Sequence, residues 1–145
     1  MKKVILYTQN HSRIAPIANL PVGEKSEVYD AMANAAARLA ERIDADVIIC
    51  QTASGVTATT MAAQRPNLPI VSVTSNQKVA NQLALNYASS AFCRPYDPEF
   101  GLKLAEELKK SGYLQTKEGK KDLLTVIVSG DRDKSGTDTI KVREV

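Results

Sequence analysis

The stretch that decides the fold of this chain is Asp46-Val47-Ile48-Ile49-Cys50, followed directly by Gln51-Thr52-Ala53-Ser54-Gly55-Val56-Thr57. After its aspartate, the first part is an unbroken apolar run, which is typical of a strand buried on both faces of a parallel sheet. The second part is polar and contains a glycine, and it leads into a segment that we predict to be a short helix over residues 55–64. Strand, loop and helix in this order indicate an α/β fold.

The same alternation of strands and helices continues along the chain. Further strands are predicted over residues 69–73, 90–94 and 123–128, and an edge strand over 139–145, where apolar and charged residues alternate. Other helices are predicted over 26–43, after 76 with Val79, Leu83 and Leu85 as its apolar residues, and from 97 to about 110 with Asp97 as its N-cap. In the helix over 26–43, we expect the buried stripe to comprise Val28, Met32, Ala35, Ala36, Leu39 and Ile43. These elements predict a three-layer α/β/α domain.

Length and composition set limits on the class of protein. The chain has 145 residues, of which 43% are hydrophobic and 24% charged, so it is predicted to be one globular domain. A net charge of +3 is too small to indicate a nucleic-acid-binding protein. No apolar run is long enough to span a membrane, and Val4–Tyr7 is too short for the apolar core of a signal peptide. We therefore expect a cytoplasmic protein.

Few residues in the chain have metal-binding or nucleophilic chemistry. Cys50 and Cys93 are the two cysteines, and His11 is the only histidine. The cysteines are predicted to be reduced thiols, because a bridge is unusual in a chain without a secretion signal. Four cysteine and histidine ligands for zinc cannot be assembled from this set, so no metal site is expected.

The loop after the first buried strand is the first candidate site. Glycine lets the backbone approach a ligand closely, hydroxyl groups donate hydrogen bonds, and the amide groups that begin a helix favour an anion. Thr52, Ser54, Gly55 and Thr57 are the residues that supply these groups. The alternative is that Ser54 merely caps the helix. The loop is not a P-loop, because no lysine follows the glycine at the required spacing.

A second candidate loop spans residues 129–137. Lys134, Ser135, Gly136 and Thr137 offer a cation, a flexible backbone and hydroxyl groups that could close over a phosphate. The alternative is a solvated hairpin loop, since two aspartates reduce its positive charge. Neither loop contains a general base beside a nucleophile, and Asp131 and His11 are the only residues that a small stand-alone enzyme could use. The residues favour binding rather than catalysis.

Three motifs of this chain, in the same order, resemble the carboxy-terminal domain of pyruvate kinase. Thr52–Ala58 is similar to that family's T-x-S-G-x-[ST]-A loop, and Arg65–Asn76 to its R-P-x-x-P-I-[IV]-A-V-T-x-N segment. The second motif continues into Val79–Leu85, which is similar to V-A-R-Q-L-A-L, and the third, Lys134–Val142, is similar to K-S-G-T-T-N-x-I-K-V. The likeness covers about residues 24–145 and leaves residues 1–23 as a leader segment with a possible edge strand at Val4–Tyr7.

The resemblance implies a mixed five-stranded sheet whose last strand is antiparallel. It also implies an allosteric domain of a glycolytic enzyme that transfers phosphate from phosphoenolpyruvate to ADP, with magnesium and potassium ions in a separate catalytic barrel. In that family the first loop grips one phosphate of a sugar-phosphate effector such as fructose 1,6-bisphosphate, and the later glycine loop closes over it. The domain also supplies a subunit contact, so a homo-oligomer and a catalytic barrel are the implied partners.

The chain departs from the family pattern in three respects. Ala53 and Val56 stand where many effector-binding members carry a cation, and only Pro95–Phe100 fills the segment that bears tryptophan and arginine in the animal enzymes. The barrel is also absent, so this chain is not expected to be catalytic or to hold a cofactor by itself. Two alternatives stay open: an assembly module with a vestigial phosphate loop, and a small stand-alone protein that binds a phosphorylated metabolite.

Overall fold

A five-stranded sheet runs through the middle of the molecule, with helices on both faces. The computed structural model describes residues 27–117, 120–130 and 137–145. In chain order its elements are α1 (Val28–Arg42), β1 (Val47–Gln51), α2 (Val56–Ala63), β2 (Ile70–Thr74), α3 (Gln77–Leu83), β3 (Ser89–Cys93), α4 (Phe100–Lys110), β4 (Leu124–Ser129) and β5 (Thr139–Glu144). The strands and helices predicted within these ranges are therefore present, with their ends shifted by up to three residues, whereas the possible edge strand at Val4–Tyr7 lies outside the described residues.

The sheet has the strand order β3-β2-β1-β4-β5. Strand β1 lies in the centre and pairs in parallel with β2 and β4, and β2 pairs in parallel with β3. Only β5 runs antiparallel, with Val128 opposite Ile140. This confirms the mixed five-stranded sheet. Its topology also brings the carboxyl ends of β1, β2, β3 and β4 to one edge, which we call the carboxyl edge.

Two apolar layers hold the helices on the sheet. On one face, α1, α2 and α3 pack against Ile48, Cys50 and their neighbours in β2 and β4. On the other face, α4 packs against Val47, Ile49 and Ile127. Both layers follow from the period of two in a strand, because successive side chains of β1 point to opposite faces and both faces are covered. No described helix is long and apolar enough to cross a membrane.

The buried face of α1 differs from the sequence expectation. The fully buried side chains are Ala33, Ala36, Ala37 and Ala40, whereas Val28 is 71% exposed and Ala35 is also exposed. Alanines let the helix backbone lie close to the sheet. The face of α1 that carries these small side chains is therefore turned inward, and the face with most of its larger apolar side chains is not. The prediction of the helix is confirmed, and of its predicted stripe Ala36 is buried and Ile43 packs against the core, whereas the expectation that Val28 and Ala35 are buried was wrong.

Two smaller expectations also differ from the structure. Leu85 lies beyond the end of α3 and is 90% exposed, so it does not belong to the buried stripe of that helix. Helix α4 begins at Phe100 with Glu99 as its N-cap, later than predicted. Asp97 instead accepts a hydrogen bond from the Glu99 amide at 2.8 Å and forms a turn before the helix.

Candidate functional site at the carboxyl edge

The loop between β1 and α2 is held in place by its own hydroxyl group. Thr52 Oγ1 accepts a hydrogen bond from the amide of Gly55 at 2.9 Å, and both residues are buried. Gly55 has φ of 93°, a left-handed conformation that favours glycine. A Cβ atom at this position would lie 3.2 Å from Cγ1 of Val79, so the loop packs closely against α3. The glycine predicted from the sequence is thus required by both conformation and packing.

The amide groups that begin α2 make few hydrogen bonds to the rest of the described chain. Val56 donates only a long hydrogen bond of 3.5 Å to Ser54 Oγ. The amides of Thr57 and Ala58 have no hydrogen-bond acceptor among the described residues. No acidic residue occupies the first turn of α2, so the positive end of the helix dipole is not neutralised there. Ser54 is exposed and supplies the accessible hydroxyl, whereas the side chain of Thr57 is buried.

The second predicted loop is described only in part. Lys134, Ser135 and Gly136 lie outside the described residues, so their placement at a phosphate stays a prediction. Thr137 is 2% exposed, and its Oγ1 has no hydrogen-bond partner among the described residues. The next residue, Asp138, donates its amide to the Ser129 carbonyl at 3.1 Å. Ser129 pairs with Gln51 across β4 and β1, so Thr137 lies at the same edge as Thr52.

A third segment, between β3 and α4, reaches across the carboxyl edge to β1. The side-chain amide of Gln51 donates to the carbonyl of Pro98 at 3.4 Å. A Cβ atom at Gly101 would lie 2.8 Å from Cγ of Gln51, so the glycine makes room for this side chain. The contact of Gln51 with Pro98 and Gly101 was not predicted from the sequence. The one signal available was a polar glutamine at the end of an otherwise apolar strand.

The chemistry of the described edge is that of binding. Burial raises the pKa of the Cys50 thiol to about 12, so this group stays protonated and unreactive. Both cysteines are free. Within the described ranges, no three side chains of the metal-ligating types come close enough to hold a metal ion. The groups that the edge offers are amide donors and a hydroxyl, which suit an anionic oxygen.

Two features place this molecule in a class of α/β domains. Its sheet is mainly parallel, and a glycine-containing loop leads from the central strand into a helix at the carboxyl edge. The sequence model of the pyruvate kinase alpha/beta domain matches residues 30–143. The chain therefore belongs to the pyruvate kinase alpha/beta domain family. This confirms the resemblance seen in its three sequence motifs.

Curated relatives in this family are whole pyruvate kinases. The chain is 35% identical over 85 residues to a pyruvate kinase of Agrobacterium vitis, which covers 57% of this chain and 17% of that protein. It is 26% identical over 131 residues to a pyruvate kinase of Corynebacterium efficiens, which covers 90% of this chain and 26% of that protein. The chain thus spans about a sixth to a quarter of the length of these relatives.

Solved structures give the same fold. A crystal structure of a pyruvate kinase from Cryptosporidium parvum superposes with a TM-score of 0.71 at 22% sequence identity. The match covers 99% of this chain and 26% of that one. At this level of identity the superposition establishes the fold alone.

Proposed function

We propose that this chain is a regulatory domain of pyruvate kinase type that binds a phosphorylated metabolite at the carboxyl edge of its sheet. The observation that carries the proposal is the start of α2, where the Thr57 and Ala58 amides have no acceptor among the described residues. The loop before them, Thr52–Thr57, matches the phosphate-loop motif of the family residue by residue. Amides at a helix start, without an acidic side chain nearby, favour a phosphate.

The geometry supports different roles for the four residues of the first loop. Thr52 and Gly55 shape the loop, because the threonine hydroxyl holds the glycine amide. Ser54 is exposed and would donate its hydroxyl to a phosphate oxygen. Thr57 would contribute its backbone amide, since its side chain is buried. From the second loop, Lys134, Ser135, Gly136 and Thr137 would close over the ligand.

Catalysis is assigned to a separate barrel rather than to this chain. Among the described residues, no three side chains could together hold a metal ion for a reaction of phosphoenolpyruvate or ADP. The phosphate transfer, and the magnesium and potassium ions that it needs, would belong to a barrel that this domain regulates. The domain would act by binding its effector more tightly in one conformation of the whole enzyme than in another.

Titration calorimetry tests whether the site binds phosphate esters. Inorganic phosphate, ribose 5-phosphate, glucose 6-phosphate, fructose 1,6-bisphosphate and AMP are titrated into the protein, followed by thermal denaturation with each compound. A ligand at 100 times its dissociation constant is expected to stabilise the fold by about 2.7 kcal/mol. Absence of binding by all five at millimolar concentration would overturn the proposal.

A pair of matched variants locates the site. Ser54→Ala removes the exposed hydroxyl of the loop, and we expect affinity for the phosphate ester to fall by about tenfold, the size of one charge-assisted hydrogen bond. Ser111→Ala removes a serine hydroxyl at the far end of α4 and should leave binding unchanged. Equal affinities of the two variants would place the ligand elsewhere on the molecule.

We also propose that the domain assembles through α1, because this helix carries a second apolar stripe that the sheet does not cover. Val28 and Ala35 are exposed, and Met32 and Leu39 are only partly buried. A second copy of the chain would bury this stripe, as the subunit contact of the family implies. Light scattering should show a dimer or tetramer that Ala35→Glu dissociates and Ala84→Glu, on α3's C-cap, does not. A monomer at all concentrations would contradict this assignment.

A further inference from the structure

A small cavity opens at the amino end of β4, at the opposite end of the parallel strands from the α2 loop. Its volume is about 310 Å³, and its lining residues are Lys120, Lys121, Asp122, Leu124 and Glu144. Small-molecule sites in proteins begin at a volume of about 300 Å³. The cavity is therefore large enough for a small metabolite.

The backbone beneath the cavity is fixed by strand pairing. Leu124 and Glu144 lie directly opposite each other in the antiparallel ladder of β4 and β5, so their side chains point to the same face of the sheet. At the next position, Leu123 and Val145 exchange two backbone hydrogen bonds, at 2.8 and 3.0 Å. Because this backbone is already ordered, a ligand loses little affinity to the ordering of the protein.

Two of the four charged side chains in the lining are held by other parts of the fold. Lys120 donates hydrogen bonds to the backbone carbonyl and to the carboxylate of Asp44, at 2.7 and 3.1 Å. Asp122 pairs with Lys109 at 3.4 Å. The charges of Lys120 and Asp122 are thus already compensated within the chain.

The other two charged side chains have opposite signs and are not paired. Lys121 and Glu144 have no partner among the described residues and form no ion pair with each other, although they line the same cavity. A molecule with both a carboxylate and an ammonium group can pair with the two at once. An anion would be repelled by Glu144 and Asp122, and a cation by the two lysines.

We propose that this cavity binds a zwitterion of the α-amino acid class, with the carboxylate of the ligand at Lys121 and its ammonium group at Glu144. Leu124 would lie against an apolar side chain of the ligand. Both charged groups are exposed, so each pair contributes little by itself and only weak binding is expected. The proposal goes beyond the phosphate site, because it gives the domain a second ligand at the other end of its strands.

Amide chemical shifts of ¹⁵N-labelled protein, followed during a titration with leucine, test the proposal. Two matched ligands each lack one charge, since 4-methylpentanoate has no ammonium group and 3-methylbutylamine has no carboxylate. We expect leucine to shift the amides of Lys121, Asp122 and Glu144 to saturation. Its affinity should be about fivefold higher than that of either singly charged ligand, which corresponds to one exposed ion pair.

Variants of the two unpaired residues locate the charges that the ligand meets. Lys121→Met and Glu144→Gln each remove one charge, and each should weaken leucine binding about fivefold. Exchange of the two charges, Lys121→Glu together with Glu144→Lys, should restore binding, because a zwitterion can bind in the reverse orientation. Lys110→Met is the control, since it removes an exposed lysine of α4 that lies 3.9 Å from Glu106, and it should have no effect.

Three results would overturn the proposal. If 4-methylpentanoate binds as tightly as leucine, the cavity takes anions rather than zwitterions. If Lys121→Met and Lys110→Met have equal effects, the ligand does not meet Lys121. Leucine that shifts none of the three amides up to its solubility limit does not bind in the cavity. Each of these results leaves the phosphate site standing, because that site is measured separately with ribose 5-phosphate.

Discussion

The two ends of the parallel strands differ in how far their polar groups are paired. At the amino end of β1, Asp46 is a buried carboxylate that accepts the Lys117 amide at 3.2 Å and the Leu124 amide at 2.8 Å. Beside it, exposed Asp44 pairs with both Lys117 and Lys120. We call these four side chains, Asp44, Asp46, Lys117 and Lys120, the lysine–aspartate clasp.

At the carboxyl edge, several polar groups have no partner within the described ranges. The amides of Thr57 and Ala58 have no acceptor there, and Thr137 Oγ1 is buried without a described partner. A buried polar group without a partner costs free energy, so such groups persist where something else compensates. The contrast shows that the amino edge is tied together by side chains, whereas the carboxyl edge keeps polar groups without a described partner, which supports the proposed phosphate site there.

The largest loss of stability is expected from a substitution in the lysine–aspartate clasp. Asp46→Ala removes the buried carboxylate that accepts the amides of Lys117 and Leu124, and we expect a loss of about 3 kcal/mol in the free energy of unfolding, measured by urea denaturation. Asp122→Ala is the control, because this exposed carboxylate pairs with Lys109 at 3.4 Å. The control should change stability by less than about 0.5 kcal/mol. Similar losses in the two variants would remove the distinction between the clasp and an ordinary surface pair.

A second effect is expected at Gly55. Gly55→Ala introduces a Cβ in a left-handed conformation, at 3.2 Å from Val79, and we expect a loss of about 2 kcal/mol in unfolding free energy. Gly112→Ala introduces the same change at φ of 74°, with no neighbour within 4 Å, and should cost about 1 kcal/mol. The difference measures how closely the loop packs on α3. Equal costs would mean that the loop is not braced by that helix.

A third and smaller effect separates shape from binding in the same loop. Thr52→Val keeps the volume and removes the acceptor of the Gly55 amide, so we expect a loss of about 1 kcal/mol in stability together with weaker phosphate binding. Thr52→Ser keeps the hydroxyl and should retain binding. If Thr52→Val binds phosphate as well as wild type does, the hydroxyl does not shape the site.

The smallest effect concerns pH. Hydrogen bonds from Lys117 and then Lys120 lower the pKa of Asp44 below its ordinary value of 3.8. A carboxyl whose pKa is lower in the folded state adds stability above pH 3.8, and that stability is lost as pH falls through the folded-state value. Asp44→Asn should therefore flatten the loss of stability below about pH 4. Unfolding curves from pH 6 to pH 2 that stay parallel for the two proteins would show that the pair contributes nothing.

Much of the fold could be predicted because β1 and β2 are buried on both faces. Each is an apolar-rich run between turn residues, and such runs fix a parallel sheet with helices on either side. The direction of α1 could not be predicted, because Val28 and Leu39 form a larger apolar stripe than the alanines that pack inward. The inward face of α1 is set by how closely its alanines let the helix approach the sheet. A hydropathy pattern does not reveal this preference for small residues.

The candidate site divides in the same way. The loop Thr52–Thr57 could be predicted, since its glycine and hydroxyls are contiguous in sequence. The segment between β3 and α4 could not, because its approach to β1 depends on the contact between Pro98 and Gln51, 47 residues apart. Lys134, Ser135 and Gly136 remain predictions, since they lie outside the described residues.

The most direct test of the contrast between the edges is a titration of ¹⁵N-labelled protein with inorganic phosphate, followed by amide chemical shifts. We predict that the amides of Thr57 and Ala58 shift progressively to saturation, while those of Lys117 and Leu124, which already bind Asp46, do not move. Shifts at Lys117 and Leu124 with no change at Thr57 and Ala58 would contradict the account.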